Sequence, residues 1–360
     1  MSFENSIESF QKRINSFVKL GDFLSQFKTS GVSKKDGIDF NDIFFDIFST
    51  QIKRAKEYNG WFSDNNVLFS LESWADALTL ENLTQWTNNY ILQPEREKTI
   101  AIIMAGNIPL VGLHDFISVL ISGNRVLAKL SSNDKIFIPL IAKYLEHVEP
   151  SFKGKIQFTD DQVKEFDAVI ATGSDNSARY FEYYFGKHPS IIRKNRNSVA
   201  VLTGDESEQD LEKLGEDIFR YYGLGCRNVS KLLVPKDYDF DKIFKAIYKY
   251  NYVIDDIKYK NNYDYNKAVY LMSLFKLVEN GFLMLKEDTS YSSPIATLFF
   301  EYYEDENQIL QKLDQDKEKI QCIVGNQISI ENQVNFGETQ RPQLWDYADG
   351  VDTLNFLSNL

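Results

Sequence analysis

Apolar residues recur at helical spacing along the start of the chain. Ile7, Phe10, Ile14, Phe17 and Leu20 fall on one face of a 3.6-residue period. Amphipathic helices are expected over residues 6–77, with no chemistry assigned to them. The pattern changes at residue 98. KTIAIIMAG, residues 98–106, is a short β-branched run closing on glycine, the pattern of a strand buried in a parallel sheet. A helix over 110–122, a strand over 125–130 and a helix over 133–149 follow. Strands at 155–158 and 166–171, a helix at 175–185 and a strand at 190–194 complete the series. Alternation of this kind predicts a doubly wound α/β sheet.

A second series starts after Ser198. It comprises the strand SVAVL, a helix over 207–222, a strand over 231–234 and a helix over 240–250. Strands near 282–285, 295–302 and 320–324 predict a second α/β domain. The acidic, tyrosine-rich stretch 255–265 reads as a surface loop or helix edge. In DYADGVDTLNFL, near the C-terminus, a turn precedes apolar residues that pack back on the body or on a neighbouring subunit. The expected organisation is 1–194, 195–325 and a C-terminal segment 326–360.

Composition narrows the functional classes. The 360 residues are 43% hydrophobic and 26% charged, ordinary for a globular protein with about two well-buried cores. A net charge of −12 without a basic cluster argues against nucleic acid and against anionic membrane surfaces. The apolar stretch 99–113 is broken by Gly106, Asn107 and Pro109, short of the ~20 residues of a membrane span. The N-terminal MSFENSIESF lacks a charged-then-apolar pattern, so a cytoplasmic location is expected. His114, His147 and His188 have no metal-ligand spacing, and no metal site is expected. The 27 Phe and 20 Tyr could line an acyl tunnel, but core filling accounts for them more simply.

Candidate chemistry sits at strand ends. Cys226 lies in YYGLGCRNVS, between a helix and a strand, after Gly223 and Gly225. Such a turn admits unusual backbone angles, and neighbouring N–H groups and Arg227 favour a thiolate. A buried structural cysteine is the alternative, and it fits Cys322 in IQCIVG better. Asn107, in AGNIP, follows a strand where ligands collect in open α/β sheets. Its amide could serve an oxyanion or cap the next helix. Lys129, Ser131 and Ser132 suit a ribose or phosphate, or are simply solvated. Thr172, Gly173 and Ser174 open a helix, where amides bind phosphate and where serine also caps. No GxGxxG fingerprint is present.

The order AGNIP, GNRVLAKLSSND, ATGS, NSVAVL and GLGC resembles the aldehyde dehydrogenase superfamily. It looks most like the acyl-CoA reductase branch related to the fatty acid reductase of bacterial bioluminescence. Residues 98–234 carry the resemblance; Ser293-Pro294 and DYADGVDT match more loosely. It implies an aldehyde dehydrogenase-like α/β fold: two doubly wound domains with an N-terminal helical segment. The cofactor-binding domain would be 1–194 and the catalytic cysteine domain 195–325, with a homo-oligomer as the usual association. Cys226 would be the nucleophile, and Asn107 with the Cys226 amide would form the oxyanion hole. Lys129 would contact the adenosine ribose, or a 2′-phosphate together with Ser131 and Ser132. Thr172, Gly173 and Ser174 would lie along the cofactor phosphates.

One departure from that superfamily is informative. Its hydrolytic members place a glutamate base before the strand that NSVAVL matches; here IIRKNR stands there, with Arg193 near that position. A thioester on Cys226 would then lack a carboxylate to activate water. The resulting expectation is reduction of an acyl-CoA to an aldehyde with NADPH, or NADH in its place. An acyl-activating or acyl-carrier partner fits the same reading. The competing readings are an acyl phosphate or acyl adenylate reductase, a non-catalytic acyl-binding subunit, and a Cys–His hydrolase using His114.

Overall fold

The computed structural model describes residues 3–92, 96–326, 328–330 and 333–360. Its chain forms two compact units, Met1–Lys194 with Gln343–Leu360, and Asn195–Pro342. The last 18 residues therefore return to the first unit, and the second runs beyond residue 325 to Pro342. Of the predicted 326–360 segment, residues 327, 331 and 332 lie outside the described residues.

The first unit is built on a five-stranded parallel sheet. Its order is Ile156–Phe158, Arg125–Lys129, Thr99–Ile103, Ala168–Thr172, Ser190–Arg193. The chain enters at the centre, moves outward on one side, then crosses to the other. That reversal leaves a crevice at the carboxyl ends of Thr99–Ile103 and Ala168–Thr172. These strands read as continuous apolar runs because both faces are covered: Ile100, Ala101 and Ile102 are buried, as are Ala168 to Ala171.

Helices Phe3–Leu24, Asn41–Tyr58, Asp64–Ala77 and Leu80–Thr87 precede the sheet. Their apolar faces join its core, where Phe17, Phe23, Phe27 and Phe48 are fully buried. Phe23 stacks on Tyr144 with ring centroids 4.4 Å apart. These aromatic side chains fill the core. The terminal helix Thr353–Ser358 adds Leu354 and Leu357 to it.

The helix expected from residue 110 begins at Leu113, behind the N-cap Gly112. Leu110 takes a left-handed conformation with φ 61°, which helix geometry excludes.

The second unit carries a seven-stranded sheet. Its order is Leu277–Glu279, Met284–Glu287, Thr297–Tyr303, Val229–Pro235, Asn197–Val201, Ile320–Val324, Gln333–Val334. All neighbours are parallel except the antiparallel first pair. Helix Glu208–Phe219 starts from a capping box between Ser207 and Asp210. It stops short of residue 222 because Tyr221 and Tyr222 adopt φ of 55° and 57°. The stretch 255–265 is not a loop. It lies largely within helix Ile257–Met272, where Asp256 caps the N-terminus and Tyr259, Tyr263 and Asn266 form a buried stripe.

Candidate active site

In the first unit, three strand ends converge on the crevice. The residues after Ile103 are pinned to the neighbouring strand by Met104 N–H donating to the Lys129 carbonyl at 3.0 Å. A Cβ on Gly106 would stand 2.6 Å from Ser131 Cβ and Oγ, so glycine is what lets this loop lie against the 131–134 turn. Asn59 Nδ2 reaches both backbones, donating to the Gly106 carbonyl at 3.4 Å and the Asn133 carbonyl at 3.3 Å.

Asn107 follows with an exposed side chain. It does not cap the following helix, whose N-cap is Gly112. Lys129 ends its strand half-buried; Ser131 is half-buried and Ser132 exposed. Ser131 Oγ accepts from Asn133 N–H at 3.3 Å.

Asp134, buried beneath this turn, accepts from the Leu110 N–H at 3.0 Å. Burial pushes its carboxyl up to about 6, against the lowering effect of that bond. Its Oδ1 has no hydrogen-bond partner.

Thr172 closes its strand and Gly173 N–H donates to the Arg193 carbonyl at 3.3 Å. A Cβ on Gly173 would come within 2.8 Å of Ser177 Cβ and 2.9 Å of Phe181 Cε2. Ser174 caps helix Asp175–Phe185, accepting from Ser177 N–H at 3.3 Å. The first unit thus gathers Asn107, Lys129, Ser131, Ser132, Thr172, Gly173 and Ser174 along one sheet edge.

A switch point, a lysine beside it and a helix N-terminus are groups that could hold a phosphate and a ribose.

Arg193 lies near the position where the superfamily resemblance would place a carboxylate base. It is buried, paired with Asp115 at 2.5 Å and donating to Thr353 Oγ1 at 3.0 Å. Its task is to join helix Leu113–Ile121 to the terminal helix Thr353–Ser358. The strand that bears it, Ser190–Arg193, contains no Asp or Glu.

In the second unit, Cys226 is exposed and Cys322 buried, and neither is in a disulfide. The Asn228 N–H donates to the Gly225 carbonyl at 3.0 Å, closing a turn around Cys226. Ser198 Oγ donates to the Cys226 carbonyl at 2.9 Å. Arg227 Nη1 lies 3.2 Å from Cys322 Sγ.

His114 sits in the first unit, ringed by Trp74, Trp86 and Tyr347, with Nε2 2.8 Å from the Leu344 carbonyl. Among the described residues, no group of three His, Cys, Asp or Glu side chains could hold a metal. Nor is any helix among them long and apolar enough to cross a membrane.

Asn228 in YYGLGCRNVS and Asp134 in KLSSND carry no functional signal in the sequence. No hydrophobic period could have marked them, because both lie in turns outside regular helix or strand, and Asp134 is flanked by exposed Asn133 and Lys135.

Comparison with known proteins adds to this geometry. No curated protein matches the sequence. Among solved structures, aldehyde dehydrogenase 21 from Physcomitrella patens, in complex with the reaction product succinate, is similar over 100% of this chain and 89% of its own. The TM-score is 0.66 at 9% identity. A mutant aldehyde dehydrogenase from Bacillus cereus covers 90% of this chain and 74% of its own, with TM-score 0.58 and 12% identity. A mutant of the P. syringae indole-3-acetaldehyde dehydrogenase AldA, solved with NAD+ and IAA, covers 90% and 73%, with TM-score 0.59 and 13% identity. At these identities the likeness is one of fold: the chain is aldehyde dehydrogenase-like.

The family model described as acyl-CoA reductase (LuxC) matches residues 48–242, more than half of the chain and the whole stretch from AGNIP through Cys226. The chain belongs to the acyl-CoA reductase (LuxC) family.

Proposed function

We propose that this protein reduces a fatty acyl-CoA to the aldehyde with NADPH, through an acyl thioester on Cys226. The carrying observation is the contrast between its two thiols. Cys226 is exposed on a braced turn, whereas Cys322 is buried in a strand.

In this reading the Cys226 thiolate attacks the acyl-CoA carbonyl, a C–S bond forms, and the CoA thiolate leaves and takes a proton. Asn107 supplies an amide N–H to the oxygen that becomes negative. The nicotinamide cofactor, when bound, supplies the hydride that reduces the thioester. The C–S bond to Cys226 then breaks, releasing the aldehyde and restoring the thiolate. Residues 1–194 act as the cofactor-binding domain. Lys129, Ser131 and Ser132 take the adenosine ribose or its 2′-phosphate, and Thr172, Gly173 and Ser174 take the pyrophosphate.

The absence of Asp and Glu from IIRKNR, where the superfamily resemblance would place the glutamate base, supports reduction over hydrolysis.

NADPH oxidation with a panel of acyl-CoAs, run beside Cys226→Ala, tests the proposal. Aldehyde formation that depends on acyl-CoA and vanishes in the variant is the expected result. No turnover with any acyl-CoA, under NADPH or NADH, would sink it and move attention to acyl phosphates, acyl adenylates or a binding role.

A further inference from the structure

Helix Glu208–Phe219 ends where its last carbonyls need new partners. The chain then turns through three consecutive left-handed residues, Tyr221, Tyr222 and Gly223, at φ of 55°, 57° and 78°. Such a conformation is natural for glycine and strained for tyrosine, so the surroundings must hold it in place.

One side chain does much of that holding. Asn228, with 2% of its surface exposed, donates from Nδ2 to the carbonyls of Arg220 at 2.8 Å and Asp217 at 3.0 Å, with Ile218 at 3.4 Å. Its Oδ1 accepts from the Gly225 N–H at 2.8 Å. The Ser198 hydroxyl, fully buried on the adjacent strand, fixes the Cys226 carbonyl from the other side.

We propose that Asn228 is the positioning residue of Cys226: its carboxamide fastens the nucleophile's turn to the helix end and so sets the direction of the thiol. The inference rests on the reading of Cys226 as nucleophile.

The residue type follows from the hydrogen-bond inventory. The knot needs one acceptor and two donors on a single short side chain, which a carboxamide supplies and an aspartate or serine does not. A hydrogen-bonded turn that leaves Cys226 exposed while its flanking backbone is tied on both sides is a device for aim. A misplacement of about 1 Å at a reacting atom lowers a rate on the order of 100-fold.

The test compares Asn228→Ala, Ser198→Ala and Cys226→Ala in the full chain. Iodoacetamide alkylation of Cys226 is followed by peptide mapping across pH. Turnover is split into kcat and KM for acyl-CoA, and NADPH affinity is measured by fluorescence titration. Asn228→Ala is expected to lower kcat and the alkylation rate by about 100-fold. The KM for acyl-CoA and the affinity for NADPH should stay within about threefold.

Should Asn228→Ala fail to fold, Asn228→Ser carries the test, since its hydroxyl keeps one donor and one acceptor of the knot; about a tenfold fall in kcat and alkylation is expected. Wild-type alkylation and kcat in the folded variant would overturn the inference. So would a loss of kcat matched by an equal loss of NADPH binding. Full turnover by Cys226→Ala would overturn both the nucleophile and its positioning. An inactive Cys226→Ala beside a fully active Asn228→Ala removes the positioning alone.

Discussion

Arg193 and Asp115 meet at 2.5 Å in the core of the first unit, both less than a tenth exposed, 78 residues apart in sequence. Substituting one partner strands the other's charge in a low-dielectric site. Arg193→Met is therefore expected to lower stability by about 3–5 kcal/mol. Arg193→Met combined with Asp115→Leu should recover most of that loss, because no charge is left unpaired. Urea unfolding of the two variants decides it. A double variant no more stable than Arg193→Met would show that the stabilisation lies in packing rather than charge.

The pair also marks a limit of sequence reading. Arg193 stands near the expected base position, and the sequence offers no sign that its guanidinium turns inward to Asp115 and Thr353. The parallel strands were legible because both faces are buried, which leaves uninterrupted apolar runs such as Ile100 to Ile102. The family resemblance was legible because AGNIP, KLSSND and GLGC keep their order. Helix Ile257–Met272 was obscured because its buried stripe is Tyr259, Tyr263 and Asn266, while the apolar Ile257, Leu271 and Met272 are exposed. The break after Phe219 was obscured for another reason: tyrosines are poor residues for a left-handed turn, and bonds from Asn228, eight to eleven residues further on, hold the helix end there.

Asp134 gives a pH signature of known sign. Its folded carboxyl titrates near 6, while the unfolded chain releases that proton near the ordinary 3.8. Between those values the folded state binds more protons. The contribution to stability is therefore fully present below pH ~4 and is lost as pH rises through 6, by up to about 3 kcal/mol. Asp134→Asn keeps an acceptor for Leu110 N–H but cannot ionise. Its melting temperature relative to wild type should be higher at pH 7.5 than at pH 4.5. A difference constant across that range would refute the assignment.

Gly173 permits a close approach that any Cβ would block, 2.8 Å from Ser177 and 2.9 Å from Phe181. Gly173→Ala is expected to destabilise the first unit by about 1–3 kcal/mol through overpacking. If amides of this segment take cofactor phosphate, NADPH affinity should fall by at least about tenfold in the same variant. Calorimetric titration with NADPH at a temperature where the variant is folded separates the two effects. Unchanged affinity would remove Gly173 from the cofactor site.

Lys129 tests the choice between cofactors. A lysine at a 2′-phosphate contributes a charge-assisted bond worth about 1.5–3 kcal/mol, whereas a ribose hydroxyl gains far less from it. Lys129→Met should raise KM for NADPH by about 10–100-fold and leave KM for NADH within about threefold. Parallel rises for both cofactors would place the lysine on the shared ribose instead.

Asn107 provides the sharpest separation of chemistry from folding. Its side chain is exposed and caps no helix, so Asn107→Ala should alter stability by less than about 1 kcal/mol. An oxyanion donor acts only as negative charge develops. The same substitution should therefore lower kcat by about 100–1000-fold, with NADPH affinity unchanged. Stopped-flow measurement of CoA release at saturating acyl-CoA isolates the acylation step, where the loss should appear. Normal CoA release with slow aldehyde formation would confine Asn107 to the reduction step. A variant active in both steps would leave the oxyanion to other donors.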